Sequence, residues 1–292
     1  MKEWVATGFA DSTALIFVGA TGIAVRAIAP HLKSKTTDPA VLVLDDCGKF
    51  CISLVSGHLG GANALCRAVA DWIGATAVIT TATDNNGVFA VDTWAKSQGM
   101  KIMNPEAIKN VSSKLLAGET IRVKSDFPVA GSLPKGLILT TEKPFDLEIS
   151  IKKYNNTASL RLLPPVCALG VGCRKYTELS QLEEAFSKIM GKSHLDEASV
   201  FGAFSIDLKA EEAGLLDFCA SRNLPFVTYS AGALNRAEGN FTASAFVQKT
   251  TGTDNVCERS AVLGSQGRLI SKKNAGNGVT MAIAIRDFTV QF

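Results

Sequence analysis

The 292-residue sequence has no long, uninterrupted apolar segment. Its most apolar stretch, residues 14–30, contains Gly19, Gly22 and Arg26, whereas a membrane-spanning helix needs about 20 nearly uncharged apolar residues. The N-terminus also lacks a basic region followed by an apolar run, which a secretory signal would require. We therefore predict a cytoplasmic protein without a membrane partner.

The sequence also lacks the features of nucleic-acid binding. Lys and Arg number 30 against 27 Asp and Glu, and aromatic residues make up 7%. Because polynucleotide binding depends on clustered cations, this even balance predicts no nucleic-acid partner. A small molecule is the better candidate ligand.

Metal-binding and nucleophile signatures are missing as well. The seven cysteines include no C-x-x-C pair, so we predict reduced thiols and no metal site. No histidine is close to Cys173 in the sequence, and no Gly-x-Ser-x-Gly elbow occurs. These absences argue against a cysteine nucleophile and against an α/β-hydrolase.

Residues 1–118 alternate short β-branched apolar runs with glycine-rich turns and helical patterns. The patterns predict strands at 14–18, 40–44, 50–55 and 77–81 and helices at 23–32 and 62–73. This alternation is typical of an open, mostly parallel sheet, in which ligands bind at the carboxyl ends of the strands. That rule points to the loops that begin at Gly19, Asp45, Ser56 and Thr81.

The remaining chain divides into two parts. Residues 119–163 contain short strand-like runs separated by prolines, and residues 164–292 return to an α/β pattern. In the last part we predict a capping box at Ser180 and Glu183 and an antiparallel hairpin around Asn274–Gly278. The expected fold is therefore two α/β domains with mostly parallel open sheets, joined by a small β-rich linking segment.

Three loops carry candidate chemistry. The Ser56–Asn63 loop combines three glycines with His58, which could be a general base, an oxyanion donor, a metal ligand or a structural residue. The Gly19–Gly22 turn, with Arg26 one turn later, is suited to an anion or is only a tight strand-to-helix turn. Gly170–Arg174 repeats that glycine-and-cation pattern.

Carboxylates follow two of the predicted strands. Asp45 follows the second strand, and Asp84 lies beside Thr81 and Thr83 after the fourth. Such groups can activate water, or they can cap helices and form turns.

Five segments in this order resemble the CbiG family, the cobalt-precorrin 5A hydrolases of cobalamin biosynthesis. They are Ser56–Asn63, Ile79–Asp84, Gly170–Arg174, Tyr229–Asn235 and Asn274–Gly278. The resemblance extends from about Ala14 to Ile285. Members of that family usually begin with a further strand and helix, so we expect the first domain to lack these two elements.

The resemblance implies an enzyme of the anaerobic vitamin B12 pathway. It would open the ring A acetate δ-lactone of cobalt-precorrin 5A and release acetaldehyde to give cobalt-precorrin 5B. The substrate carries the cobalt, so no cofactor of the protein's own is implied. The implied partners are this substrate and other cobalamin-pathway enzymes.

The same resemblance suggests roles for individual residues. His58 would activate the attacking water, oriented by Asp45 or Asp84, or would be an axial ligand to cobalt, and Glu258 remains a rival catalytic group. The amides of Gly60 and Gly61 would stabilise the oxyanion. The full set of expected substrate-binding residues is Gly19, Thr21, Gly22, Arg26, Ser56, Gly57, Gly60, Gly61, Asn63, Thr81, Thr83, Gly172, Arg174, Ser230 and Asn235.

Two other functions remain open. One is a two-domain sugar-phosphate or nucleotide enzyme that binds phosphate at the Gly19 turn, although the sequence has no phosphate-loop lysine there. The other is a non-catalytic carrier of a cobalt-precorrin. Acetaldehyde formation separates the carrier from the hydrolase.

Overall fold

The computed structural model describes residues 1–34, 37–58, 60–153 and 159–292. Leu59, inside the predicted His58 loop, lies outside the described residues. The described chain forms two compact units. The first contains residues 1–97, 104–122 and 133–138, and the second contains 98–103, 123–132 and 139–292. The predicted domain boundaries at 118/119 and 163/164 stay a prediction.

The first unit is built from one sheet and the helices around it. Its strands are β1 (Ala14–Val18), β2 (Ala40–Leu44), β3 (Phe50–Val55) and β4 (Thr76–Val78). Its helices are α1 (Lys2–Asp11), α2 (Thr21–Ile28), α3 (Ala62–Ile73), α4 (Ala82–Asn85), α5 (Val91–Ser97) and α6 (Ile108–Leu116).

Strand β1 lies at the edge of this sheet, whose order is β1-β2-β3-β4. Leu15 and Phe17 point into the core, whereas Ile16 and Val18 are 40% and 72% exposed. The predicted strand is therefore confirmed in position, but it is buried on one face only. Strand β2, in the interior of the sheet, is buried from Ala40 to Val43.

The direction of strand β3 decides which loops are neighbours. Strand β1 is parallel to β2, but β2 is antiparallel to β3, and β3 is parallel to β4. The Gly19 and Asp45 loops therefore lie at one edge of the sheet, and the Ser56 and Thr81 loops lie at the opposite edge. Four residue steps of β2 separate these edges by about 13 Å. The prediction that all four loops lie together is wrong.

Helix α3 matches its predicted range, Ala62–Ile73. It buries Ala62, Cys66, Val69 and Ala70, the spacing of one helical face. It ends at Gly74, whose φ of 71° is the left-handed conformation common after a helix. Helix α2 begins two residues before the predicted start and gives way at Ala29 to a short 3-10 helix containing Pro30, because proline cannot donate a helical hydrogen bond.

The second unit contains most of the remaining strands. They are β5 (Lys101–Ile102), β6 (Ile121–Ser125), β7 (Val129–Ala130), β8 (Leu137–Leu139), β9 (Leu147–Ile149), β10 (Leu160–Leu163), β11 (Cys167–Cys173), β12 (Val200–Ile206), β13 (Phe226–Tyr229), β14 (Arg268–Gly276), β15 (Val279–Ile285) and β16 (Val290–Gln291). The first residues of β6 and β8 belong to the first unit.

The helices of the second unit follow strand β11 along the chain. They are α7 (Leu179–Ser193), α8 (Ala213–Ser221), α9 (Ala231–Asn235), α10 (Ala245–Thr251) and α11 (Cys257–Ser265). Helix α7 does have a capping box, but it is formed by Glu178 and Gln181 rather than by Ser180 and Glu183. No helix in the described parts of the chain combines the length and apolarity needed to cross a membrane.

The predicted β-rich segment forms a mixed sheet of order β5-β10-β9-β6-β8. Strands β9 and β10 are parallel, and β5 is antiparallel to β10. The terminal strand β16 pairs in parallel with β7. The strand-like runs predicted from this proline-separated sequence are thus confirmed.

The last sheet has the order β13-β12-β11-β15-β14. Strands β11, β12 and β13 are parallel, and β14 and β15 form the predicted antiparallel hairpin. Asn277 and Gly278 both have positive φ, 48° and 79°, as a tight two-residue hairpin turn requires. The fold of two α/β parts with mostly parallel sheets and an intervening β-rich segment is confirmed.

Gly170 allows helix α11 to pack directly on strand β11. A Cβ at this position would overlap the carbonyl oxygen of Cys257 in that helix. Gly170 is therefore a packing residue inside the strand rather than part of the glycine turn predicted there.

Candidate functional site

His58 lies between two carboxylates at the edge of the first sheet where β3 ends. Its Nδ1 is 3.2 Å from Asp92 Oδ2, and its Nε2 is 2.9 Å from Asp84 Oδ2. The side chains of His58 and Asp84 are 18% and 19% exposed, and that of Asp92 is 8% exposed. We call these three residues the His58 cluster.

The glycines of the loop shape the backbone that holds His58. A Cβ at Gly60 would overlap Ser56, and a Cβ at Gly57 would lie 2.7 Å from Asn63 Oδ1. The Ser56 and Gly57 carbonyls accept hydrogen bonds from the Ala62 and Asn63 amides at 3.0 and 2.9 Å. The loop is thereby folded tightly onto the start of helix α3.

The Gly61 amide is not a free oxyanion donor in this structure. It donates to the His58 carbonyl oxygen at 2.9 Å. The oxyanion role expected for Gly61 therefore conflicts with the hydrogen bond that closes the loop.

Asn63 and Arg67, both on helix α3, orient Asp84. The Asn63 amide donates to Asp84 Oδ2 at 2.9 Å and to the Thr81 hydroxyl at 3.0 Å, and its carbonyl oxygen accepts from Ser53 at 2.7 Å. Arg67 Nη2 donates to the other carboxylate oxygen of Asp84 at 2.7 Å. Sequence reasoning identified Asn63, Thr81 and Asp84 but missed Arg67.

Asp92 is the second residue that sequence reasoning missed. It lies in the first turn of α5, where the Thr93 amide donates to its Oδ1 at 2.9 Å. The signal was a single acid inside the apolar run from Val88 to Trp94, because an acidic side chain is rarely buried without a partner. Thr83, which was expected in the site, places its hydroxyl 3.1 Å from His58 Nε2.

The pKa values in the cluster favour a cation between two anions. The hydrogen bond to Asp92 raises the pKa of His58, burial opposes this, and the hydrogen bond to Asp84 raises the pKa further. Burial raises the pKa of Asp84 and of Asp92, but their polar partners outweigh it and leave both carboxyl pKa values below the ordinary 3.8. The imidazolium form, with both ring nitrogens donating, fits this arrangement.

These shifts predict a pH-dependent contribution of His58 to stability. A raised histidine pKa stabilises the fold fully below the ordinary value of 6.5, and this contribution is lost as the pH rises through the folded-state pKa. The lowered Asp84 and Asp92 pKa values stabilise above 3.8, and that contribution is lost as the pH falls through their folded-state values.

We therefore expect His58→Gln to destabilise the protein most between about pH 4 and pH 6.5 and progressively less at higher pH. Urea unfolding of both proteins across this range measures the difference. His194→Gln, which changes an exposed histidine at the end of α7, is the matched control. A destabilisation by His58→Gln that grows with pH would contradict the protonated cluster.

Asp45 lies at the opposite sheet edge and does not orient His58. Its carboxylate accepts the Phe50 amide at 2.6 Å across the β2–β3 turn, and this backbone hydrogen bond lowers the pKa of Asp45. The orienting carboxylates are instead Asp84 and Asp92. Asp45, Asp46 and Cys47 bring their ligand atoms within 4.8 Å of one another, as three consecutive residues of one turn.

The Gly19 turn is also separated from the His58 cluster. The Gly19 amide donates to the Leu44 carbonyl at 2.8 Å, so it is engaged within the sheet. Thr21 and Gly22 form the first turn of α2, and Arg26 lies in its last turn beside a groove lined by α1. The substrate-binding roles of these residues stay a prediction.

In the second unit, the side chains of two predicted site residues make structural hydrogen bonds. The Ser230 hydroxyl caps α9 by accepting the Ala233 amide at 3.2 Å, and the Asn235 amide donates to the Gly252 carbonyl at 2.9 Å. Gly172 lies within β11, where Thr280 Oγ1 donates to its carbonyl oxygen at 3.1 Å.

Glu258 and Cys173 in this unit are buried or partly buried groups. Glu258 is fully buried and accepts hydrogen bonds from the Thr242 amide, the Thr242 hydroxyl and the Lys273 amide. These bonds indicate a structural role. Burial raises the pKa of the Cys173 thiol, which disfavours the reactive thiolate.

The fold and the His58 cluster together define a class: an α/β protein with an enzyme-like carboxylate–histidine–carboxylate site. Sequence comparison identifies the protein family within this class. Residues 3–84 match the family described as Cobalamin synthesis G N-terminal, residues 89–164 match Cobalamin biosynthesis central region, and residues 167–284 match Cobalamin synthesis G C-terminus. The chain belongs to the cobalamin biosynthesis protein G (CbiG) family.

Two curated relatives carry names that agree with this assignment. A cobalt-precorrin-5A hydrolase from Salmonella typhimurium is 36% identical over 95% of this chain and 83% of the relative. Another from Priestia megaterium is 32% identical over 95% of this chain and 79% of the relative. A solved cobalamin biosynthesis protein G homolog from Sulfolobus solfataricus is 25% identical, with a TM-score of 0.38, and covers 97% of this chain and 85% of its own.

Proposed function

We propose that this chain is a cobalt-precorrin-5A hydrolase, which opens the ring A acetate δ-lactone of its substrate and releases acetaldehyde to give cobalt-precorrin 5B. The observation that carries the proposal is the 36% identity to a relative of that name over 95% of the chain. The His58 cluster, in which the two carboxylates raise the pKa of the histidine, supplies acid–base chemistry suited to this reaction. The cobalt belongs to the substrate rather than to the protein.

The cluster suggests that His58 first acts as an acid. Water adds to the lactone carbonyl carbon, the bond from that carbon to the ring oxygen breaks, and the leaving oxygen takes the proton from His58 Nε2. The water supplies the new carboxylate oxygen, and its two protons pass to solvent. His58 therefore becomes neutral in the step that opens the lactone.

Neutral His58 is then suited to act as a base in the second step. Its Nε2 takes the proton from the newly formed hydroxyl group, the carbon–carbon bond to the macrocycle breaks, and acetaldehyde leaves with the new carbonyl bond. The electron pair passes into the macrocycle, whose carbon is protonated by an acid. The histidine thereby returns to its protonated form between Asp84 and Asp92.

The test is acetaldehyde release from cobalt-precorrin 5A by the unmodified chain. Alcohol dehydrogenase with NADH reports acetaldehyde through the loss of NADH absorbance. We expect one acetaldehyde for each substrate consumed. Tight binding of cobalt-precorrin 5A without acetaldehyde release would contradict the hydrolase and support the carrier.

A further inference from the structure

Several loops of the second unit lie at the edge of its last sheet where strands β11, β12 and β13 end. The three strands are parallel, and Gly170 of β11 pairs in register with Phe204 of β12. The segments that follow them, from Arg174 and from Asp207, therefore begin side by side. Because Cys173 pairs with Val279 at the start of β15, the Asn277–Gly278 turn lies at this edge as well.

Hydrogen bonds fix the backbone of the loop from Arg174 to Thr177. The Arg174 amide donates to the Gly278 carbonyl at 3.1 Å, and the Thr177 hydroxyl donates to the Arg174 carbonyl at 2.9 Å. The Thr177 amide donates to Glu212 Oε1 at 3.2 Å. Lys209 in turn binds the other oxygen of Glu212 at 2.7 Å, which joins this loop to the segment after β12.

Helix α8 packs directly against the same loop. A Cβ at Gly214, in the first turn of this helix, would overlap the Thr177 carbonyl oxygen. Thr177 and Lys209 are both buried. The two segments are thus fixed in place by buried contacts and leave their other side chains to solvent.

Two large side chains of these segments, one aromatic and one aliphatic, are exposed to solvent. Tyr176 is 92% exposed and Leu208 is 63% exposed. Tyr176 also has a φ of 61°, a conformation that tyrosine rarely adopts. The backbone amides of Tyr176 and Thr177 both face Glu212, so the fold itself uses this backbone conformation. The exposed Tyr176 side chain contributes no packing, so a ligand contact is the better explanation for it.

Two cations accompany these apolar groups. Arg174 and Lys175 are exposed, and across the described ranges Arg174 has no carboxylate within ion-pair distance. The Arg174 stem packs over Gly278, since a Cβ there would lie 3.1 Å from Arg174 Cδ. The nearby acids are locally engaged: Asp207 accepts the Leu208 amide, and Glu178 caps α7.

We propose that Arg174, Lys175, Tyr176 and Leu208 form a docking surface for the carboxylated macrocycle of the substrate. Tyr176 and Leu208 contact the apolar face of the ring system, and the two cations bind its acetate and propionate carboxylates. Exposed apolar groups next to unpaired positive charge complement a ligand that has both an apolar face and carboxylates. The inference rests on the proposed function, because that function supplies the macrocyclic polycarboxylate.

Tyr176→Ala and Arg174→Ala test this surface separately from catalysis. We expect each substitution to raise KM for acetaldehyde release about 10-fold and to leave kcat within about 2-fold, since uniform binding is removed. We expect a similar weakening of the Kd for uroporphyrin III, a stable octacarboxylated tetrapyrrole, measured by fluorescence titration. Phe246→Ala, which removes a 77% exposed aromatic from helix α10 of the same unit, should change neither value.

The outcomes separate this surface from the proposed function. If the unmodified chain releases acetaldehyde but both variants keep its KM and Kd, the docking surface is contradicted alone. If the chain releases none but the variants weaken uroporphyrin binding, the surface stands and the hydrolase fails. If the chain neither reacts nor binds uroporphyrin, both fail. A changed sedimentation coefficient with unchanged KM would assign the surface to a second copy and overturn the proposal.

Discussion

His58→Gln is expected to lower kcat for acetaldehyde release by about 10²- to 10⁴-fold, the usual contribution of a positioned acid–base group. Glutamine can keep polar contacts with Asp84 and Asp92 but cannot exchange a proton near neutral pH. Substrate affinity should change little. Single-turnover acetaldehyde release and substrate titration measure the two effects.

The control and the competing roles of His58 give distinct results. His194→Gln removes an exposed histidine of the second unit and should leave kcat unchanged. Loss of both kcat and substrate affinity in His58→Gln would favour axial cobalt ligation or loop architecture. Full activity would exclude both the acid–base and the ligand role.

Asp92→Asn separates positioning from proton transfer in the same experiment. Asp92 makes the largest contribution to the raised pKa of His58, so the variant should lose its acid form at lower pH. The alkaline side of the kcat–pH profile should therefore move to lower pH. A smaller kcat with an unshifted profile would mean that Asp92 acts only through packing.

Glu258→Ala is expected to lower the free energy of unfolding by about 3–5 kcal/mol. The Thr242 amide, Thr242 hydroxyl and Lys273 amide lie 2.6, 2.9 and 2.7 Å from its carboxylate. Removing this fully buried acceptor loses three hydrogen bonds to a charged group, at about 1.5–3 kcal/mol each, partly relieved by relaxation and by water at Thr242, which is exposed. Urea unfolding at pH 7 measures the loss.

Glu238→Ala provides the matched control, because Glu238 is an exposed acid of the same unit. It should change the unfolding free energy by less than about 0.5 kcal/mol. A Glu258→Ala protein that keeps its stability but loses acetaldehyde release would return Glu258 to the catalytic candidates.

Local patterns predicted most of the individual elements. Helix α3 was recognisable from its apolar spacing and the following Gly74, and the β14–β15 hairpin from its Asn-Gly turn. The antiparallel pairing of β2 and β3 was missed, although the sequence contained the reason. Only residues 45–49 connect these strands, whereas a parallel pairing needs a crossover of about a dozen residues or more.

The candidate site was predictable where its residues come from the two loops that begin at Ser56 and Thr81. His58, Asn63, Thr83 and Asp84 come from segments that the sequence already singled out, and the structure brings them together. Asp92 is 34 residues from its histidine, and its pairing depends on how α5 packs. Asp45 was predicted in the site because the strands were expected to be mostly parallel, which would place its loop beside that of His58. Because β3 is antiparallel to β2, Asp45 lies at the opposite edge of the sheet.

The short turn between β2 and β3 also makes the first unit tolerant of engineering. Asp46 and Cys47 are exposed in a turn at the sheet edge opposite to the edge that carries His58, and the two edges are about 13 Å apart along β2. Exposed turns accept insertions more readily than strands. A peptide tag or fluorophore-binding sequence placed there should leave the His58 cluster intact. Mutations at the two edges should combine additively, so each edge can vary independently.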